Sequence, residues 1–197
     1  MKFSIDKVNW PEQYPEAPVA TAEVKRVTMP DGVGEGIEIS YNVHGRQLRA
    51  LAMNDMEPVW EDSCVEFFCR VPGDGHYMNF ETNCIGSMVA ARRLSRKDGV
   101  RRLSPDEMAA IVRKCSLPHE RIEEKDGMFD WSVQITIPLA LVFAGGRVPG
   151  KGEPFSLLAN FYKCADKTRY PHFLSWQPVL LPKPDFHCPQ FFGTITL

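Results

Sequence analysis

The sequence predicts an all-β protein, an antiparallel sandwich or barrel with one or two short helices. Short runs of alternating apolar and polar residues recur along the chain, turn residues separate them, and only one strong helix signal interrupts. The clearest run is Phe129 to Ile137. Phe129, Trp131, Val133, Ile135 and Ile137 share one face and Asp130, Ser132, Gln134 and Thr136 the other, so Trp131 is expected in the core. The run "IEISYNV" alternates in the same way from Ile37, and "HGRQ" is read as a turn into a further strand from Leu48. Strands are also expected at Val65–Arg70, Tyr77–Ile85, Met88–Leu94, Phe155–Lys163 and Phe191–Leu197.

The helix signal is "SPDEMAAIVRKC". Ser104 stands as N-cap, Pro105 opens the first turn and Glu107 completes a capping box. "PLALVFAGG" is a shorter candidate that ends at Gly145. Pro11, Pro15 and Pro18 beside Trp10 and Tyr14 predict an extended proline-rich arm over residues 1–20, pinned to the body by its aromatics.

With 197 residues, 44% of them hydrophobic, the chain can bury one sizeable core and is short for two, so a single domain over 1–197 is expected. Lys+Arg 23 against Asp+Glu 25 leaves no basic footprint for a phosphate backbone, which argues against a nucleic-acid partner. The local basic run "ARRLSRKDGVRRL" reads as a solvated hairpin around an Asp-Gly turn. No apolar run is long enough for a membrane span or a signal sequence. The cysteines, at 64, 69, 84, 115, 164 and 188, form no C-x-x-C pair and read as reduced core residues. The expected location is the cytoplasm, or the periplasm or exterior if a signal has been removed.

Chemistry concentrates in "EPVWEDSCVEFFCR", from Glu57. Alternation puts Val65, Phe67 and Cys69 on one strand face and Cys64, Glu66 and Phe68 on the other, so Glu66 stands among apolar neighbours. A carboxylate there costs several kcal/mol unless it is paired or hydrogen-bonded. It either meets an internal arginine or forms the floor of a polar pocket that receives hydroxyl groups. In "YMNFETNCIG", Tyr77, Asn79, Glu81 and Asn83 share a face, a polar row suited to solvent or to a polyhydroxylated ligand. Trp60 and Trp176 lie in proline-containing loops, where an aromatic serves binding or covers a core edge.

The segments "PVWEDSCVEFF", "YMNFETNCIG", "ANFYKCAD" and "LSWQP…PDFHCPQFFG", taken in this order, resemble the family-9 carbohydrate-binding modules. The similarity is greater to single-domain bacterial proteins of that kind, a branch of the DOMON-like β-sandwiches, and it covers most of the chain. The resemblance implies an immunoglobulin-like sandwich without catalysis, in which two aromatic rings grip a sugar at the end of an oligosaccharide or polysaccharide chain. Mapped onto this sequence, the aromatics are Trp60 and Trp176, and the hydroxyl-binding acid is Glu66, six residues after Trp60. Asn83, Arg92 and Lys163 are further ligand-binding candidates by neighbourhood. Calcium, as a structural ion of some members, is the one cofactor the resemblance allows, and it maps no metal ligands here.

Two tryptophans stacking on ~100 Å² of sugar each would contribute about 5 kcal/mol, while association costs about 4–15 kcal/mol. Charged hydrogen bonds must supply the rest. Two other functions remain open. Glu57, Glu61, Asp62, Glu66 and Glu81 offer acid pairs for a glycoside hydrolase, with Asp62 and Glu66 expected on one strand face. Met53, Met56, His172 and His187 offer haem ligands of the kind used by DOMON-like cytochrome domains, without the C-x-x-C-H of covalent attachment. The spacings of His76, His172, His187 and the cysteines match no zinc pattern.

Overall fold

Apolar alternation builds the two layers directly. The computed structural model describes all 197 residues. In chain order its elements are β1 (Lys2–Ser4), β2 (Lys7–Val8), β3 (Val19–Thr28), β4 (Glu35–Ala50), β5 (Cys64–Arg70), β6 (Tyr77–Asn83), β7 (Met88–Arg93), β8 (Arg101–Arg102), α1 (Pro105–Ala109), β9 (Val112–Cys115), β10 (Ile122–Pro138), α2 (Leu139–Val142), β11 (Ser156–Cys164), β12 (Phe173–Ser175) and β13 (Gly193–Thr196). One sheet runs β1-β3-β4-β10-β9 and the other β2-β12-β11-β5-β6-β7-β8, with β13 also paired to β11. All strand pairs are antiparallel.

Ile37, Ile39, Tyr41 and Val43 of β4 and Trp131, Val133, Ile135 and Ile137 of β10 face Val65, Phe67, Phe80 and Phe161 of the second sheet, all buried in one core. This is the predicted sandwich. Trp131 is core, 4% exposed. Tyr41 ties the layers together, its hydroxyl donating to the Glu66 carbonyl at 2.9 Å. A second apolar cluster lies on the outer face of the larger sheet, where Phe68, Tyr77 and Tyr162 pack beneath Phe173, Val179 and Phe186.

The strands differ from the sequence reading in several places. "HGRQ" makes no hairpin, and β4 runs unbroken through it because β10 pairs with it along almost its whole length. The irregularity survives only as register shifts on both sides of Lys125 and a positive φ of 77° at Gln47. The expected strand from Phe129 begins instead at Ile122, drawn out by pairing with Arg46–Ala50 and by the Arg46–Asp126 ion pair at 2.8 Å. "VATAEVKRVT" is the unforeseen strand β3, whose alanines are weak strand formers but whose Ala20, Ala22 and Val24 pack inward.

Residues 1–20 are more than an arm, since β1 pairs with β3 and β2 with β12. The Ser104 capping box forms, with Ser104 N donating to Glu107 Oε2 at 2.8 Å and Glu107 N to Ser104 Oγ at 3.3 Å. Its helix stops at Ala109, because Val112–Cys115 pair with β10 instead.

Trp176 continues the alternation of β12. Leu174 points into the core, and Trp176, whose N–H donates to the Phe161 carbonyl, follows it inward. Its ring packs against Phe3 and Phe161, at centroid separations of 4.7 and 5.9 Å. Gly193 lets β13 pass beneath it, since a Cβ there would lie 2.8 Å from the indole. Trp176 therefore closes a core edge. Trp176→Ala is expected to lower unfolding free energy by on the order of 3 kcal/mol, and Trp60→Ala by clearly less. Equal losses in chemical denaturation would contradict this division.

Candidate functional site

The strand register brings two acids face to face. β5 pairs with β6 so that Glu66 is directly opposite Glu81, and with β11 so that Cys64 is opposite Cys164. All four side chains stand on the outer face of the larger sheet, away from Val65 and Phe67. A pocket of about 280 Å³ opens over this face, lined by Trp60, Glu66, Glu81, Arg93, Asp166 and His187 among others, with Phe68, Phe173 and Phe186 as apolar walls. Its size is at the small end of ligand pockets, which run from ~300 Å³ upward.

Trp60 sits in a single 3₁₀ turn, Val59–Glu61, and is partly exposed. The turn is held from below and from the side. Asp62, 1% exposed, accepts from Leu51 N, Ala52 N, Arg49 and Asn83 at 3.0–3.1 Å. Asp166 N donates to the Trp60 carbonyl at 3.1 Å, and Lys167 pairs with Glu61 at 2.9 Å.

Glu66 is 3% exposed and forms no ion pair. Cys164 Sγ donates to its Oε1 at 3.1 Å. The internal-arginine reading is thereby excluded, and the carboxyl instead lines the pocket. Burial, then the Glu81 charge, pushes the Glu66 carboxyl well above the usual carboxylate range. Burial raises Glu81 to about 7, although Arg93 and a hydrogen bond from Asn79 at 3.0 Å pull it down. Asp166 is likewise raised to about 7, by burial and then by Glu61. His187 is pushed down to about 4 by burial and is neutral; its Nδ1 is hydrogen-bonded with the Tyr77 hydroxyl at 2.9 Å, and its Nε2 lies 3.9 Å from Glu81 Oε1.

Cations occupy the rim. Arg93 donates to Asn79 Oδ1 at 2.7 Å and to the Arg96 carbonyl at 2.8 Å, and Arg96 lies 3.5 Å from Asp185 across the mouth. Arg93, Arg96 and Lys97 come from the basic run read as a plain solvated hairpin. The alternation of β7 held the missing signal, because a residue opposite Tyr77 must face outward with it.

Of the six residues singled out from the sequence, Trp60 and Glu66 meet in the pocket and the other four lie outside it. Trp176 caps the inner core, so the slot between two tryptophans does not form. Asn83 is fully buried and braces the Trp60 loop through Asp62 and the Ala52 carbonyl. Arg92 points to the face opposite Arg93 and pairs with Asp74 at 2.9 Å. Lys163 alternates inward with Phe161, 2% exposed, and donates to the Cys164 carbonyl at 2.7 Å and to His172 Nε2 at 2.8 Å. Burial lowers its pKa.

The rival constellations are also separated. Asp62 is a loop brace and not a strand partner of Glu66. His172 spends its ring nitrogens on Lys163 and the Tyr170 carbonyl, and Met53, Met56 and His172 do not line the pocket that holds His187. The convergent set of side-chain donors is Cys64, Glu66 and Cys164, two thiols and one carboxylate, which does not suit the all-oxygen shell of calcium.

Glu81 faces Glu66 at a cost that depends on pH. Its native pKa, about 7, exceeds the ordinary 4.5, so the folded state binds more protons between those values and stability falls as pH rises through them. Glu81→Gln keeps the bond from Asn79 and removes the charge. It is expected to raise stability at pH 8 by on the order of 3 kcal/mol, with the gain fading toward pH 5. A pH-independent difference in thermal melts would refute this.

The sequence profile of carbohydrate-binding family 9 matches residues 1–197. No curated protein matches the chain. Among solved structures, a Bacteroides uniformis protein proposed to bind carbohydrate is 36% identical, with a TM-score of 0.88 over 100% of this chain and 85% of its own. A family-9 module from Caldicellulosiruptor kristjanssonii in complex with glucose is 10% identical, with a TM-score of 0.50 over 96% of this chain and 82% of its own. The same comparison with a cellotriose complex gives 10% identity and a TM-score of 0.50, over 90% and 73% of the two chains. At that identity the likeness speaks for the fold alone, but the profile match and the Bacteroides relative carry the family: the chain belongs to carbohydrate-binding family 9.

Proposed function

We propose that the chain binds a sugar ring at the end of an oligosaccharide or polysaccharide, without catalysis, in the pocket beneath Trp60. The observation that carries this reading is a partly exposed tryptophan beside a floor of buried acids, Glu66 and Glu81, that have no arginine or lysine within salt-bridge reach and only the neutral His187, at 3.9 Å from Glu81, nearby. Apolar stacking with a ring of hydroxyl acceptors below it is the chemistry of sugar recognition. The family supports the reading, as do the glucose and cellotriose complexes of the Caldicellulosiruptor module.

With Trp60 as the one tryptophan lining the pocket, stacking on ~100 Å² contributes about 2.5 kcal/mol. That falls short of an association cost of about 4–15 kcal/mol. Hydrogen bonds to charged groups contribute roughly 1.5–3 kcal/mol each, so three or more are required. Glu81, Asp166 and Arg93 line the same pocket and can supply them, with the Glu66 carboxyl as a further hydrogen-bonding group. The expected affinities run from about millimolar to micromolar, roughly -4 to -8 kcal/mol.

Isothermal titration with glucose and cellotriose tests the site. Trp60→Ala and Glu66→Gln are each expected to weaken binding at least tenfold, and Arg92→Ala to leave it unchanged. A Trp60→Ala protein that binds as tightly as wild type sinks the reading. The raised carboxyls also suit a hydrolase, and release of reducing sugar abolished by Glu66→Gln would favour that alternative.

A further inference from the structure

We infer that Cys64, Cys164 and Glu66 form a binding site for a soft divalent cation, zinc or cadmium, at the floor of the pocket. The site depends on the sheet and not on sequence spacing, which is why no zinc pattern is visible in the chain. Cys64 and Cys164 are cross-strand partners on β5 and β11, and Glu66 follows Cys64 by two residues on the same face. Their ligand atoms all lie within 4.8 Å of one another, and the Cys164 sulfur is 3.1 Å from Glu66 Oε1.

A tetrahedral ion with metal–sulfur bonds of ~2.3 Å and metal–oxygen bonds of ~2.0–2.2 Å needs its ligands about 3.5–3.8 Å apart. Side-chain rotations of an ångström or less suffice. Two thiolates and one carboxylate select zinc or cadmium over magnesium or calcium. Cys164 and Glu66 line the pocket, which gives the ion a path inward and leaves its fourth position open to water.

Charge favours occupancy as well. Glu66 faces Glu81, with no arginine or lysine paired to either, and a divalent ion would supply the positive charge that lets both ionise. The step balances simply. Each S–H bond is replaced by an S–metal bond, the two thiol protons and any proton on the Glu66 carboxyl leave to solvent, and the ion stays divalent, so nothing is oxidised or reduced.

The site does not rest on sugar binding, and its test uses metal alone. The reduced protein is titrated with cadmium chloride while the thiolate-to-cadmium charge-transfer absorption is followed in the ultraviolet. The expected result is a band that saturates at one equivalent. Cys64→Ser and Cys164→Ser should each weaken it at least tenfold, Glu66→Gln should weaken binding but keep the band, and Cys69→Ser, on the inner face, should change nothing. No saturable band in wild type, or an undiminished band in the double serine variant, overturns the site. If the serine variants do not fold, X-ray absorption at the zinc edge of the loaded wild-type protein decides, with two sulfur scatterers supporting the site and none, or four, overturning it.

Discussion

The register of β5 between β6 and β11 is the constraint on which the rest depends. It sends Val65, Phe67 and Cys69 into the core and Cys64, Glu66 and Phe68 outward, and it sets Glu66 against Glu81. A slip of one residue would bury Glu66 between the sheets and expose Phe67. The stacking of Phe67 with Phe161, at 5.3 Å, and the Tyr41 bond to the Glu66 carbonyl hold that register from the core side. The apolar layer therefore aims the polar one.

Holding two carboxyls opposite each other out of water opposes folding, and a fold selected for stability alone would replace them. Local conflicts of this kind concentrate where a ligand resolves them. Glu66, Glu81 and Asp166 all have raised pKa values, and all three line the pocket that Trp60 overlooks. Asn83 and Asp62, by contrast, satisfy each other and the backbone, and their role is to fix the tryptophan's loop. Hydroxyl donors, or a cation shared with the two cysteines, would satisfy what the protein leaves unpaired.

Alternation made much of this legible from sequence. It assigned Val65, Phe67 and Trp131 to the core, Glu66 to the opposite face, and the polar row of Tyr77, Asn79, Glu81 and Asn83 to one side of β6. What it did not reveal was set by pairing across the chain. Trp176 looked like a loop aromatic because its inward direction depends on β12, a three-residue strand with no pattern of its own. Neighbourhood alone singles out Lys163, but alternation turns it to the core face, where its bond to His172 and the Trp131 ring at 5.7 Å accommodate it. The sequence reading names Arg92 and not its neighbour Arg93, a difference of one position that reverses the face and leaves only Arg93 lining the pocket.

The claim at the centre is that the outer face of the larger sheet, and not the edge closed by Trp176, receives the ligand. A crystal structure of the protein soaked with glucose tests it most directly. The account predicts a ring stacked on Trp60 with hydroxyls within hydrogen-bond distance of Glu66 and Glu81. Sugar density against Trp176, or a pocket left empty while sugar is ordered elsewhere on the molecule, would contradict it.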